Sequence, residues 1–456
     1  MYYECRRATR RWLVTCLYLC NMLTRLFLTA ACAVILAATL ALAGHDQSTE
    51  ETSFIPGDHP AIEYSKAPLE DPVAMLDRQL ESGKAKLEFS PHGLGYLPSL
   101  LKNLSVNPDS QMLVFSKTSF QAARISPRAP RALFFNDTVA VGSVQDGDVL
   151  ELAALDPRKG IVFYTLDAHQ SERPRFDRRD VCLQCHQGPA TLGVPGIMIA
   201  SVYVDSSGMP AFRFGEPVTD HRTPFGDRWG GWYVSGTHGR QEHKGNAVAR
   251  DSRHPDVLEI AETQNLTSLA RKFDATEYVS SVSDIVALMT LEHQTRMTNL
   301  ITRVGWEARI AQSDGKKAGT AVQERINADI EALVTYMLFA NEAPLRDSIK
   351  GVSTFAQTFP QQGPRDRQGR SLRDFDLQKR LFRYPLSYMI YSAAFDAIPN
   401  DARERIYQRI FDVLAGKDQS KNFDRLSDED RHAILAILRD TKPDLPVYWR
   451  DPVLGR

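Results

Sequence analysis

Cys182-Leu183-Gln184-Cys185-His186 is the segment around which the rest of the sequence arranges itself. Two thiols three positions apart sit on one side of a single helical turn, and an imidazole follows directly. Cys-x-x-Cys-His is the attachment pattern for a c-type haem: each thiol adds to a porphyrin vinyl group and the histidine lies under the iron as axial ligand. Three other readings use the same side chains. A redox pair of the thioredoxin type needs a βαβ context, whereas Gln187-Gly188-Pro189-Ala190-Thr191-Leu192-Gly193-Val194-Pro195-Gly196 follows here and reads as a loop. A structural zinc site needs four nitrogen or sulfur ligands. A plain disulfide would close a short, strained ring. The spacing favours Cys182 and Cys185 as haem-attachment residues and His186 as the axial iron ligand.

The distribution of thiols points the same way. There are six cysteines: Cys5, Cys16, Cys20, Cys32, Cys182 and Cys185. The first four lie in a stretch with the form of an export signal. Arg25 precedes an apolar run from Leu26 to Leu40, followed by Ala41-Leu42-Ala43 and Gly44. A basic region, an apolar region and a small-x-small cleavage site make residues 1–43 a signal peptide. Arg6, Arg7, Arg10 and Arg11 make its basic region unusually long, so Met22 is an alternative start. The competing expectation is an uncleaved inner-membrane anchor, for which the apolar run is near the lower length limit. Cleavage after Ala43 leaves Cys182 and Cys185 as the sole thiols. Haem is attached outside the cytoplasm, so the expected address is a bacterial periplasm.

The 456 residues allow two or three domains. A net charge of -1, with 24% charged residues, gives no reason to expect nucleic acid as a partner. Residues 44–84 read as an extended polar lead, dotted with prolines, with one short helix around 73–81. Residues 85–260 read as a β-rich haem-binding unit. Its strands fall at 111–115, 131–135, 138–142, 149–154 and 161–166, and 197–204 with 209–214 form a hairpin about Asp205-Ser206-Ser207-Gly208. Residues 261–456 read as helical. Ile285, Met289, His293, Met297, Ile301, Val304 and Ala308 step by three or four and predict one apolar stripe. Further helices fit 320–341, 375–398 (kinked at Pro385), 402–414 and 427–438, the last opened by Ser427 as N-cap. The expected fold class is α+β: a small β-rich N-terminal unit carrying the motif, then a mainly α-helical C-terminal half.

Asp220 to Gly239 is dense in Gly, Trp and His, the residue types that wall a flat macrocycle or pack a loop on itself. The iron's other axial position takes His or Met, or stays open. Candidates are His238, His293 and His243, in that order, then the methionines, among them Met198, Met209 and Met297. Against His293 and Met297 stands the ordinary role of such residues on an apolar helix face, which is core. Arg173, Arg175, Arg178 and Arg179 crowd the approach to the motif. They either bind haem carboxylates or form a solvated face with Asp177 and Asp180.

Several segments together resemble a poorly characterised family of exported bacterial cytochrome c domain-containing proteins with a single Cys-x-x-Cys-His. They are Arg124-Ile125-Ser126-Pro127-Arg128-Ala129-Pro130-Arg131-Ala132-Leu133-Phe134-Phe135-Asn136-Asp137, Cys182 to His186 with Gly193-Val194-Pro195-Gly196, Arg228 to Gly239, Leu291-Glu292-His293-Gln294-Thr295, and Lys379-Arg380-Leu381-Phe382-Arg383-Tyr384-Pro385. The resemblance spans nearly all of the chain after the signal. It implies Cys182 and Cys185 as attachment residues, His186 as ligand, and electron transfer, with no substrate. Lys244 departs from it, standing where Met is expected after the histidine.

The function these features lead to is that of a periplasmic monohaem c-type cytochrome passing single electrons to an unidentified redox protein. The alternative is a haem enzyme of peroxidase or oxidase type with an open sixth iron position, where His238, Arg240 and Glu242 would supply acid and base. A haem-based sensor or assembly subunit is a third. No Walker loop, nucleophile elbow or basic aromatic stripe is present.

Overall fold

Between Met112 and Arg178 short runs of apolar and β-branched residues alternate with turn residues, and each run pairs antiparallel with the one before. The strands are β1 (Met112–Val114), β2 (Arg131–Phe135), β3 (Val139–Ser143), β4 (Val149–Asp156), β5 (Gly160–Asp167) and β6 (Phe176–Arg178). Beyond them in the chain come β7 (Ile199–Ala200), β8 (Val218–Thr219) and β9 (Trp232–Tyr233). β9 returns to pair with β1, giving a seven-stranded antiparallel sheet in the order β6-β5-β4-β3-β2-β1-β9, while β7 and β8 pair separately. The turn from β2 to β3 is closed by Asn136, whose side-chain oxygen accepts from the amides of Thr138 and Val139. The structure, a computed structural model, describes residues 54–91, 93–315, 319–418 and 420–450. The signal peptide, the alternative start at Met22 and the lead up to 53 lie outside the described residues.

The pleat sorts the sheet into two buried faces. Leu113, Phe134, Val141, Leu152, Val162 and Tyr164 form one apolar cluster with helices α1 (Pro72–Glu81) and α2 (Leu97–Asn103) and with Ile55, Ile62 and Tyr64. Met112, Val114, Phe135, Leu155, Ile161 and Phe163 belong to a second cluster. That cluster also takes in helices α4 (Ile285–Asp314), α5 (Thr320–Met337), α6 (Asn400–Leu414) and α7 (Asp428–Thr441); α3 (Leu183–His186) is the motif itself. Each large apolar side chain so covered contributes about 2 kcal/mol. Burial on both faces is why β5 runs apolar from Ile161 to Tyr164 without alternating. The fold is thus mixed α and β, with the antiparallel sheet in the middle of the chain and helices in the C-terminal half.

α4 is the spine. Asp284 caps it through Oδ1, which accepts from the amides of Val286 and Ala287, and its Oδ2 accepts from Val352 and Ser353. Buried residues lie on nearly every side of the helix between Ile285 and Arg309, so the single apolar stripe read from sequence understates it. The helical C-terminal elements pack around that spine.

Several expectations are corrected. The lead is not extended from residue 54 onward: Ile55, Ile62 and Tyr64 are buried, and the Tyr64 hydroxyl donates to the Ile161 carbonyl at 2.8 Å. The hairpin at 197–214 reduces to one bridge between Val204 and Pro210, because Ile199 and Ala200 pair instead with Thr219 and Val218. No long helix spans 375–398. The Asp376 carboxylate accepts from the amides of Gln378 and Lys379, Leu377 adopts φ +58°, and Phe375 pairs with Phe382 across a tight loop. The helix from Thr320 ends at Met337, before Phe339 and Asn341 enter the left-handed region. Among the described residues no helix is long and apolar enough to cross a membrane.

Candidate functional site

The segment after β6 is drawn onto β5 by the Arg179 amide, which donates to the Phe163 carbonyl at 2.8 Å. A 3-10 turn over Asp180–Cys182 then runs directly into α3, so Cys182 closes the first turn and Cys185 lies in the second. Both are free thiols, Cys182 half-buried and Cys185 exposed. Burial pushes the Cys182 thiol up, helped by the Glu151 carboxylate and opposed by Arg179.

His186 is held by one glycine from two directions. Its Nδ1 lies 3.0 Å from the Gly196 carbonyl oxygen, and the Gly196 amide donates to the His186 carbonyl at 2.9 Å. A carbonyl only accepts, so Nδ1 carries the proton and Nε2 keeps its lone pair. Burial holds the ring below the usual imidazole range, with the Gly196 carbonyl pulling the other way. His186 is therefore a neutral imidazole whose Nε2 can ligate a metal, with its other nitrogen anchored to the backbone. The ring packs on Phe163 of β5 with centroids 4.8 Å apart.

α4 sets the position of Gly196. Asn299 donates from Nδ2 to the Ile197 carbonyl at 2.9 Å, and a Cβ on Gly196 would overlap Asn299 Oδ1. One turn further on, Arg303 donates to the Leu192 carbonyl at 2.9 Å. The lead closes the loop from outside: the Ile55 amide donates to the Gly193 carbonyl, and Gln187 donates to the Ile55 carbonyl.

The sheet face beside the motif is low. Leu133, Ala140, Ala153, Cys182, Leu183 and Ile197 are partly exposed and pack against the cluster containing Phe163. Next to them Arg131 donates to Glu151 at 2.9 Å, and Glu151 also accepts from Ser119 and Gln121.

The residues proposed for the other axial position stand apart from one another in their bonding. His293 is fully buried in α4, with Nδ1 2.9 Å from His221 Nδ1 and Nε2 2.8 Å from Ser387 Oγ. His238 has Nδ1 2.7 Å from the Gln241 carbonyl and Nε2 accepting from the Asn265 amide. Both nitrogens of each ring are thus engaged. His243 is buried against His238, Phe225 and Trp229, and its Nδ1 has no hydrogen-bond partner. Burial, with His238 adding to it, pushes His243 down to about 3. Met297 is core, Met198 half-buried and Met209 exposed. Arg240 and Glu242 lie at the surface, not gathered with His238 about a cavity. Of the arginines before the motif, Arg175 pairs with Asp77 and Glu81, and Arg178 with Asp180.

Sequence reading missed Gly196, Asn299 and the Arg131–Glu151 pair. It also missed a deeper cluster in which Arg228 meets Glu292 at 3.2 Å and donates to the His221 carbonyl. The available signal was the polar residues Glu292, Asn299 and Arg303, which recur at helical spacing along α4. Among the described residues no three His, Cys, Asp or Glu side chains gather as a metal-ion site. Comparison with protein-family models, with curated proteins and with solved structures gives no match for this chain.

Proposed function

We propose that Cys182 and Cys185 carry one covalently attached haem c, that His186 Nε2 is its axial ligand, and that the protein transfers single electrons. The observation that carries this is the bond from His186 Nδ1 to the Gly196 carbonyl, which fixes the tautomer a ligating histidine needs. Three further features fit the group. The thiols are unbonded to each other and lie on two successive helical turns, the 3-10 turn and α3. The ring is kept neutral by burial. The neighbouring sheet face is lined by small and apolar side chains, Ala140, Gly142 and Ala153 beside Phe163 and Leu133. The resemblance to exported cytochrome c domain-containing proteins supports the same function, a periplasmic location and an unidentified redox protein as partner.

In this role the chain's own residues position and exclude. Gly196 orients His186, α4 holds Gly196, and Phe163 fixes the ring plane. When bound, the haem supplies the one-electron couple.

One observation bears on a second reading, a haem enzyme of peroxidase or oxidase type with an open sixth position: both ring nitrogens of His238 and of His293 are engaged, which leaves His243 and the methionines as the remaining candidates for that position. Production of the protein in a host competent for cytochrome maturation separates the two. A low-spin spectrum in both oxidation states supports the carrier, and a high-spin ferric spectrum that changes on adding cyanide supports the enzyme. The double substitution C182A/C185A removes covalent pigment under either.

A further inference from the structure

The Arg131–Glu151 pair sits where the register puts it beside the motif. The His186 ring packs on Phe163, and Phe163 lies opposite Ala153 on β4. Glu151 is two residues back on the same face, about 7 Å along the strand. It stands opposite Gly142 on β3, and Gly142 stands opposite Leu133 on β2, two residues from Arg131. The ion pair therefore spans from β2 to β4 across a glycine. A Cβ on Gly142 would make an ordinary contact with Glu151 Oε2 at 3.5 Å and a tight one with Leu133 Cδ2 at 3.3 Å.

The two partners are unequally satisfied. Glu151 Oε1 accepts from Ser119 Oγ at 2.6 Å and from Gln121 Nε2 at 2.8 Å, and Oε2 accepts from Arg131 Nη1 at 2.9 Å. Burial alone would raise this carboxyl. Arg131 and the two neutral donors outweigh it, so Glu151 is a fixed anion. Among the described residues Arg131 has that one side-chain partner, and its buried Nε finds no acceptor. A buried N–H without an acceptor is costly, and a half-buried ion pair adds little stability to offset it. The arrangement makes sense if an acceptor arrives with a ligand. Haem carries carboxylates, and arginine binds them through parallel hydrogen bonds.

We infer that Arg131 anchors a carboxylate of the haem attached at Cys182 and Cys185, with Glu151 as the positioning residue that aims the guanidinium. This rests on the proposed function. The test is potentiometric titration and haem content, by pyridine haemochrome, of the full chain and of R131Q, R131K and E151Q, all produced with cytochrome maturation. The expected result is a midpoint potential lower in R131Q than in the parent, because a cation beside the ring and its carboxylate is lost. R131K restores part of the shift, and R131Q holds several-fold less haem per polypeptide. Urea unfolding of each haem-loaded variant separates a loss of fold from a loss of anchoring. A haem-loaded parent whose R131Q and E151Q variants have the same potential and the same haem content overturns the inference alone. A colourless parent overturns the proposed function and the inference with it.

Discussion

Gly196 shows how much can rest on one missing side chain. Its carbonyl accepts from His186, its amide donates back to the same residue, and Asn299 occupies the space a Cβ would need. Substitution G196A is expected to push the loop off α4, to cost about 1–3 kcal/mol through a strained contact and an orphaned imidazole N–H, and to lower haem incorporation. Urea unfolding and haem content check this; an unchanged unfolding midpoint with full haem content contradicts it. At this scale the sequence was legible where chemistry is local. Cys182, Cys185 and His186 are adjacent, so their spacing could be read. Arg131 and Glu151 are joined only through the register of three strands, and Glu292 meets Arg228 only through tertiary packing. Neither pairing leaves a trace in local spacing.

Among the elements, α4 does the most to place the site, and its beginning is its most exposed dependency. Asp284 is fully buried and satisfies the first turn of α4 together with the backbone of Val352 and Ser353. D284A leaves those donors without an acceptor in a dry site, and a loss on the order of 3 kcal/mol or more is expected. Thermal unfolding followed by circular dichroism measures it, and a loss under 1 kcal/mol would show that water or a neighbour replaces the carboxylate. The central strands were legible from their residue types and turn signals, within one or two residues at each end. β9 was not, because Trp232 and Tyr233 pair with β1 from the far end of a long glycine-rich segment. The stretch 375–398 looked helical by composition, but side-chain capping at Asp376 and stacking of Phe375 on Phe359 and Phe382 favour a compact loop.

For the whole molecule, the buried titratable groups set a defined pH response. Burial holds His293 and His243 down to about 3 and His221 well below its ordinary 6.5, with His293 adding to the effect on His221. Burial raises Glu292 and Glu342 to about 7, against the pull of Arg228 and, for Glu342, the Leu381 amide. On unfolding, the three imidazoles take up protons below pH 6.5, which removes stability as pH falls. The two carboxyls release protons between pH 4.5 and 7, which removes stability as pH rises. Each proton is worth about 1.4 kcal/mol per pH unit. Stability is therefore expected to fall gently from pH 6.5 to 4.5, where the two effects oppose, and steeply below 4.5, where the imidazoles act together with carboxyls held low in the fold, such as Asp220 at about 2. E292Q removes one opposing group and should steepen the upper limb. Calorimetry at pH 4, 5.5 and 7 checks both, and a protein that gains stability on acidification from 6.5 to 4 contradicts the assignment.

That the sheet lies in the middle of the chain and helices in its C-terminal half was legible as a change of periodicity near residue 283. That the lead covers one sheet face and α4 the other was not, since it depends on which faces are left to bury. The proposed function depends on a covalent bond between porphyrin and polypeptide at Cys182 and Cys185. Acid-acetone extraction of the protein purified from a cytochrome-maturing host, followed by a pyridine haemochrome on the precipitated chain, reads that bond directly. One haem per polypeptide, retained after extraction, is the predicted result; a colourless precipitate, or pigment that passes into the acetone, contradicts it.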